Sequence, residues 1–376
     1  MRLTNVLRRA LLVAGAVAVL GAGPALAKEL RVSNNGSCPN AQFPTIQAAV
    51  TAAGPNDTVK VCPGTYPEQV RITGHTKDGL KLESLKPLQA RIQFPPATMA
   101  PNSIVNVTGA NDVTIRDFTI TGPWTDSGCA VATQRHYGVR VDGDGSATIR
   151  DNHITMIEDA NPALRGCQDG VAILVGRQFE GQVGHAVIKH NVIDNYEKNG
   201  PTIDNAGSTA TLEDNSIDGG PQDPITAKNG IQVGRGASAK VHNNEVFGNS
   251  FAGVPAAPVG DTDTSSDSTG ILVFEETGGV EISNNESYNN DLGIDVGTAS
   301  QLLIRNNFTH NNVFDGLRAE IDTQQNLFAE NHSSNNGVHD CHDDSHGSGT
   351  ATTGNTWKND FGVTQTPPGI CRPNGS

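Results

Sequence analysis

The side chains best placed for acid–base or anion-binding work sit in short apolar runs that open with glycine. GVRV (138–141), GVAI (170–173), GIQV (230–233), GILV (270–273), GIDV (293–296) and GLRA (316–319) are too short for helices and rich in β-branched residues, so they read as strands. Alternation along them turns Arg140, Ala172, Gln232, Leu272, Asp295 and Arg318 outward. Asp295 and Arg318 fall on consecutive repeats, close enough to pair. With Asp142 and Asp204 nearer the strand ends, they are the candidates for catalysis, since proton transfer at a sugar needs converging acids, or acids with Arg. The pattern sets no two acids on neighbouring repeats, so binding is preferred to catalysis.

A second outward row favours binding. Segments of the form Ile/Leu-x-x-Asn, such as TIRDNHI (148–154), VIKHNVI (187–193), TLEDNSI (211–217) and KVHNNEV (240–246), turn out Arg116, Arg150, Lys189, Glu213, His242, Ser283 and Arg305. The row is mainly basic on a chain of formal net charge −14. Arg116, Arg150, Lys189, His242 and Arg305 therefore become candidate contacts for a polymer with repeating carboxylates, such as a uronate-containing polysaccharide. The plainer reading is a solvated sheet face whose charges suppress sheet association. The acidic balance excludes nucleic acid and anionic membrane as partners, because both want a basic face.

Two clusters offer metal ligands. Asp261, Asp263, Ser265 and Asp267 alternate as the oxygens of a Ca2+ loop do, but Leu272 stands where a bidentate Glu is needed and no Gly follows the fifth position. An ordinary polar loop is expected there, with Ca2+ as the alternative, and the sequence calls for no other cofactor. His339, Asp340, His342, Asp343, Asp344 and His346 suit a transition metal by type, yet their spacing matches no standard site. A polar end-cap is the expected role.

These residues are positioned by a repeat. The Asn column runs Asn152, Asn191, Asn215, Asn244, Asn285, Asn307 and Asn331, with Asn355 as its last expected member and Phe118 in the place of an earlier one. Each repeat holds three short strands with no room for a crossover helix, so strands must stack coil on coil. Stacked amides can hydrogen-bond to one another, which makes the column structural. About ten coils at ~4.8 Å give a rod roughly 50 Å long. Long insertions at 121–136, 155–169, 218–229 and 247–269 all fall at one corner, before the Gly-led strand, and should border the binding face.

The chain ends set the compartment. Arg2, Arg8 and Arg9, the apolar stretch Ala10 to Gly23 and Ala25-Leu26-Ala27 form a cleavable signal peptide, 1–27, so a secreted protein, soluble and free of the membrane after cleavage, is expected. Six cysteines in an exported chain favour disulfides, expected as Cys38–Cys62, Cys129–Cys167 and Cys341–Cys371. The expected organisation is an amino-terminal cap and first coil (28–72), repeats (73–340) and a carboxy-terminal cap (341–376), in a monomer.

The segment TIQAAVTAAGPNDTVKVCPGTYPEQVRI, with a helix capped by Thr45 and ended by Gly54-Pro55, resembles the amino-terminal cap of the pectin-lyase-like superfamily. With the Gly/Ile/Asn repeats, the resemblance covers nearly all of the chain after residue 27. It implies an all-β fold, a right-handed parallel β-helix with a short capping helix. The superfamily's catalytic strings are missing: Gln168-Asp169-Gly170 is a fragment of the pectinesterase pattern, and Asp343-Asp344 with His346-Gly347 crowds the polygalacturonase pattern into five residues. The reading is thus a secreted binder of extracellular polysaccharide, with a polysaccharide lyase or glycoside hydrolase as the alternative.

Overall fold

The computed structural model describes residues 26–36, 38–96, 99–125, 128, 135–222, 224–252 and 268–373. The signal segment, Cys129 and the loop carrying Asp261, Asp263, Ser265 and Asp267 lie outside the described residues, apart from Leu26 and Ala27.

The described chain is a parallel β-helix of three sheets. The first sheet holds twelve strands, from Glu29–Val32 to Thr356–Lys358, and contains the Ile/Leu-x-x-Asn segments. The second holds ten strands, from Gly64–Pro67 to His332–Ser334. The third, the Gly-led sheet, holds eleven, from Val70–Thr73 to Gln365–Thr366. Each strand pairs in parallel with its counterparts one coil before and one coil after, as in Ile149 with Ile115 and Ile188. Inward side chains such as Ile115, Ile149, Ile188, Leu212, Val241, Ile282 and Ile304 therefore stack into one buried core along the axis.

The amino-terminal cap forms as expected. The helix Ile46–Ala52 buries Ile46, Ala49 and Val50, and Thr45 Oγ1 accepts from the Ala48 amide at 3.2 Å. The Glu68 carboxylate accepts from the Ile46 and Gln47 amides, both at 2.9 Å, satisfying two more first-turn donors. Cys38–Cys62 ties this cap to the coil beneath it, and Cys341–Cys371 ties the other end. Cys167 is also disulfide-bonded.

The asparagine column is a hydrogen-bonded ladder. Asn152 donates to Asn191, Asn191 to Asn215, Asn215 to Asn244, Asn244 to Asn285, Asn285 to Asn307 and Asn307 to Asn331, at 2.8 to 3.1 Å. Its last member is Asp360, not Asn355. Asn355 belongs to a second ladder, where it accepts from Asn326 at 2.9 Å.

The Gly-led strands bend at their glycine. A Cβ on Gly230 would lie 2.3 Å from Val246 Cγ1 and 2.6 Å from the Gly270 carbonyl, so the backbone approach leaves no room for a side chain. This bend corrects one expected position. Ala172 does not face outward: it is wholly buried, as is Ile173 beside it, and both belong to the core. Strict alternation breaks there, and Leu174 pairs with Arg140 in the outward row. Gly170 stands opposite His136, two residues ahead of the bend that Gly138 makes.

Candidate functional site: a groove and an acid–histidine cluster on the Gly-led face

The Gly-led sheet carries a groove of about 620 Å³. Its floor is the outward row, one side chain per coil: Leu174, Thr202, Gln232, Leu272 and Asp295. The wall on the insertion side includes Arg135, Gln168 and Lys198; the opposite rim includes Arg177, Phe179, Arg235, Phe274, Glu275 and Glu320. The described residues of these insertions stand between the second sheet and the Gly-led sheet, as their spacing requires.

The insertion 155–169 is fixed from below. Glu197, pushed up to about 7 by burial, accepts from the Asp169 amide at 2.8 Å and the Asp159 amide at 3.1 Å. Asn161 caps the short helical turn Pro162–Cys167, and Arg165 pairs with Glu158 at 2.7 Å. The wall that presents Gln168 is therefore built, not draped.

Among the described residues, four cations line the groove, Arg135, Arg177, Lys198 and Arg235, against three acids, Glu275, Asp295 and Glu320. Arg235 is committed to Asp204 at 2.9 Å and lies over the rings of Phe179 and Phe274. Lys198 donates to the Ala227 carbonyl at 2.9 Å, and burial lowers it to about 8. Arg135 differs: half-buried, it has no hydrogen-bond or ion-pair partner among the described residues, and its Nε is buried. Burial, then the neighbouring Arg177 charge, pulls its pKa down. No sequence signal marked Arg135, since it precedes the strand and belongs to neither outward row.

The candidate catalytic residues part company. Asp204 and Asp142 are structural: Asp204 holds Arg235 and accepts from the Gln178 amide at 2.9 Å, while Asp142 accepts from Arg140 at 2.6 Å. Asp295 lies on the groove floor, and the register sets it directly beside Arg318. Arg318 approaches Asp344 at 3.6 Å on the coil beyond.

The run expected as an end-cap is a further Gly-led strand, His339–Asp343, paired with Asp315–Ala319. Asp340 replaces the leading glycine, which hid the strand; its carboxylate turns inward to accept from Asn336 at 3.0 Å. His342 consequently continues the outward row beyond Arg318. Its Nδ1 lies 2.6 Å from Asp315 Oδ2 and its Nε2 2.9 Å from Asp344 Oδ1. Burial opposes the charged ring, but the two carboxylates outweigh it and raise His342 to about 9. Burial likewise opposes an ionised Asp315, yet the close approach of His339 and the hydrogen bond with His342 bring it to about 2. Asp295 and Asp315 thus stand on neighbouring coils, an arrangement of acids the linear pattern did not reveal.

The basic row of the first sheet exists in the expected register, Arg116 with Arg150, then Lys189, Glu213, His242, Ser283 and Arg305. Its arginines are already neutralised. Arg116 pairs with Glu83 at 3.0 Å and Asp117 at 3.2 Å, Arg150 with Asp151 at 2.5 Å, and Arg305 with Glu281 at 2.7 Å.

Residues 102–257 match the family model described as right handed beta helix region. Among solved structures, XylC in complex with xylose matches with a TM-score of 0.56 at 13% identity, over 82% of this chain and 69% of that one. A mutant of the periplasmic alginate epimerase AlgG matches with 0.52 at 11% identity, over 81% and 62%. The enzymatically active domain of bacteriophage CBA120 tailspike protein 2 matches with 0.51 at 11% identity, over 82% and 43%. The chain therefore spans less than two thirds of the epimerase and of the tailspike chain. No curated protein matches it in sequence. At such identities the likeness is one of fold: a right-handed parallel β-helix.

Proposed function

We propose that the protein is exported and binds an acidic, uronate-containing polysaccharide along the groove of its Gly-led face. Arg135 carries this reading. A half-buried guanidinium with no hydrogen-bond or ion-pair partner among the described residues, in a groove whose described lining holds more cations than acids, on a chain of formal net charge −14, favours an anionic ligand. Leu272, Phe179 and Phe274 offer apolar surface to sugar rings, and Thr202, Asn229 and Gln232 offer polar groups. The open groove runs along the coil axis, so weak contacts add over successive units of a polymer. The similar structures named for an alginate epimerase and a xylose complex are consistent with a carbohydrate ligand, though their likeness extends to fold alone.

Affinity electrophoresis of the protein without residues 1–27 tests this on pectate, alginate, xylan and a neutral glucan. Retention is expected on pectate or alginate, weakened by salt and by Arg135→Gln. Equal migration in all gels would refute it.

One observation favours catalysis as a second reading: Asp295 on the groove floor, beside Arg318 and one coil from Asp315. A carboxylate next to a guanidinium in a carbohydrate groove can exchange a proton while the cation steadies a substrate carboxylate. If this holds, absorbance of unsaturated products or new reducing ends appears on a retained polymer and disappears with Asp295→Asn.

A further inference from the structure

We infer that Asp315, His339 and His342 form a binding site for one first-row divalent transition-metal ion at the carboxy-terminal end of the Gly-led face. Each offers a ligand atom, and these atoms all lie within 4.8 Å of one another. The sheet register assembles them: Asp315 is paired with His339 on the next coil, and His342 follows on the same strand, past the bend. Two imidazoles and one carboxylate are the donors zinc and its neighbours take, at ~2.0–2.2 Å. Calcium and magnesium want six or more oxygen ligands, of which this set supplies one carboxylate.

The surroundings point to a ligand independently of the cluster itself. His342 is held from behind: Nε2 meets Asp344 Oδ1 at 2.9 Å, leaving Nδ1 to face Asp315. A carboxylate on the far nitrogen is the usual outer partner of a metal-ligating histidine, because it fixes the ring and its tautomer. His339 Nδ1 is buried 3.3 Å from Asp315 Oδ1, outside hydrogen-bond geometry, so this ring nitrogen stands beside the same carboxylate.

The charge balance fits a dication. With both rings neutral, Asp295, Asp315 and Asp344 set against Arg318 leave two negative charges. Access fits as well. Asp315 and His342 are buried, with 3% and 7% of their side chains exposed, while His339 keeps 17% open to solvent. Three protein ligands leave a coordination position for water or a ligand oxygen, as open zinc sites do.

This inference stands apart from the polysaccharide reading, since it requires metal uptake with no polymer present. The test is equilibrium dialysis of the full chelator-treated chain without residues 1–27 against Zn2+, followed by elemental analysis. About one Zn2+ per chain is expected, lost in His339→Ala and in Asp315→Asn, and bound ~10–100-fold more weakly in Asp344→Asn. His310→Ala, on the second sheet, should bind as wild type. Circular dichroism checks the fold of each variant; should Asp315→Asn fail to fold, the half-buried His339 decides. No uptake by the wild type, or uptake unchanged by His339→Ala, overturns the site.

Discussion

Asn331 Nδ2 donates to Asp360 Oδ1 at 2.7 Å, and with that bond the longest amide ladder of the coil ends on a carboxylate. The other ladders end the same way. Asn336 donates to Asp340 at 3.0 Å, and Asn355 to Asp343 at 3.1 Å. A stacked amide both gives and receives, so a run of them is directional and leaves a donor at one end. Aspartate accepts without donating, which makes it a terminator. All three terminators are buried, Asp340 at 2%, Asp343 at 4% and Asp360 at 0% exposure.

Removing a terminator should therefore cost more than a surface change. Asp360→Ala strands the Asn331 amide groups and is expected to destabilise by about 1–3 kcal/mol. Asn215→Ala, in mid-ladder, orphans the backbone and side-chain amide donors of Asn191 and removes the donor to the Ile188 carbonyl, so its cost should be larger. Thermal denaturation of the two variants gives the order; equal midpoints to wild type would remove the ladder from the account of stability.

Burial lifts Asp360 to about 6, well above the ordinary aspartate value of 3.8. A raised carboxyl means the folded state binds a proton more readily than the unfolded chain. Its ionisation thus weakens the fold above pH ~6, and that contribution is relieved as pH falls from 6 towards 4. The expected observation is a stability difference between wild type and Asp360→Asn that shrinks on acidification through this window. A constant difference from pH 7.5 to 4.5 would contradict it.

Two faces compete for an acidic polymer, and they separate by mutation. The groove reading predicts that Arg135→Gln weakens retention on a uronate polymer. Arg150→Ala with Arg305→Ala should change retention little, because those guanidinia are already paired with Asp151 and Glu281. The reverse result would move the site to the first sheet, with Lys189 and His242 as its remaining contacts.

Non-reducing peptide maps should recover Cys38–Cys62 and Cys341–Cys371 as linked pairs. Replacing both Cys341 and Cys371 by serine is expected to cost about 2–4 kcal/mol, by restoring freedom to the unfolded chain around the last coil. A variant as stable as wild type would show that the end is held by its packing alone.

Everything that repeats was legible from the spacing of residues. The inward Ile/Val/Leu column, the asparagine ladder, the corner bearing the insertions and the register of the Arg116-to-Arg305 row all follow from short-range spacing, because each coil imposes the same local geometry. Even the absence of an asparagine at Phe118 was legible, and that side chain is fully buried. Tertiary structure decided what spacing leaves degenerate. Gly170 and Gly138 look equivalent in one dimension, and only the pairing of strands put Ala172 inside and Leu174 outside. Asp340 hid a strand by standing where glycine was expected, and with it the meeting of Asp315, His339 and His342 from two coils. The loss of free charge along the basic row came from Glu83, Asp117, Asp151 and Glu281, residues outside the row. Arg135 gained meaning only when its neighbours were in place, since whether a charge is paired depends on contacts that a linear pattern does not encode.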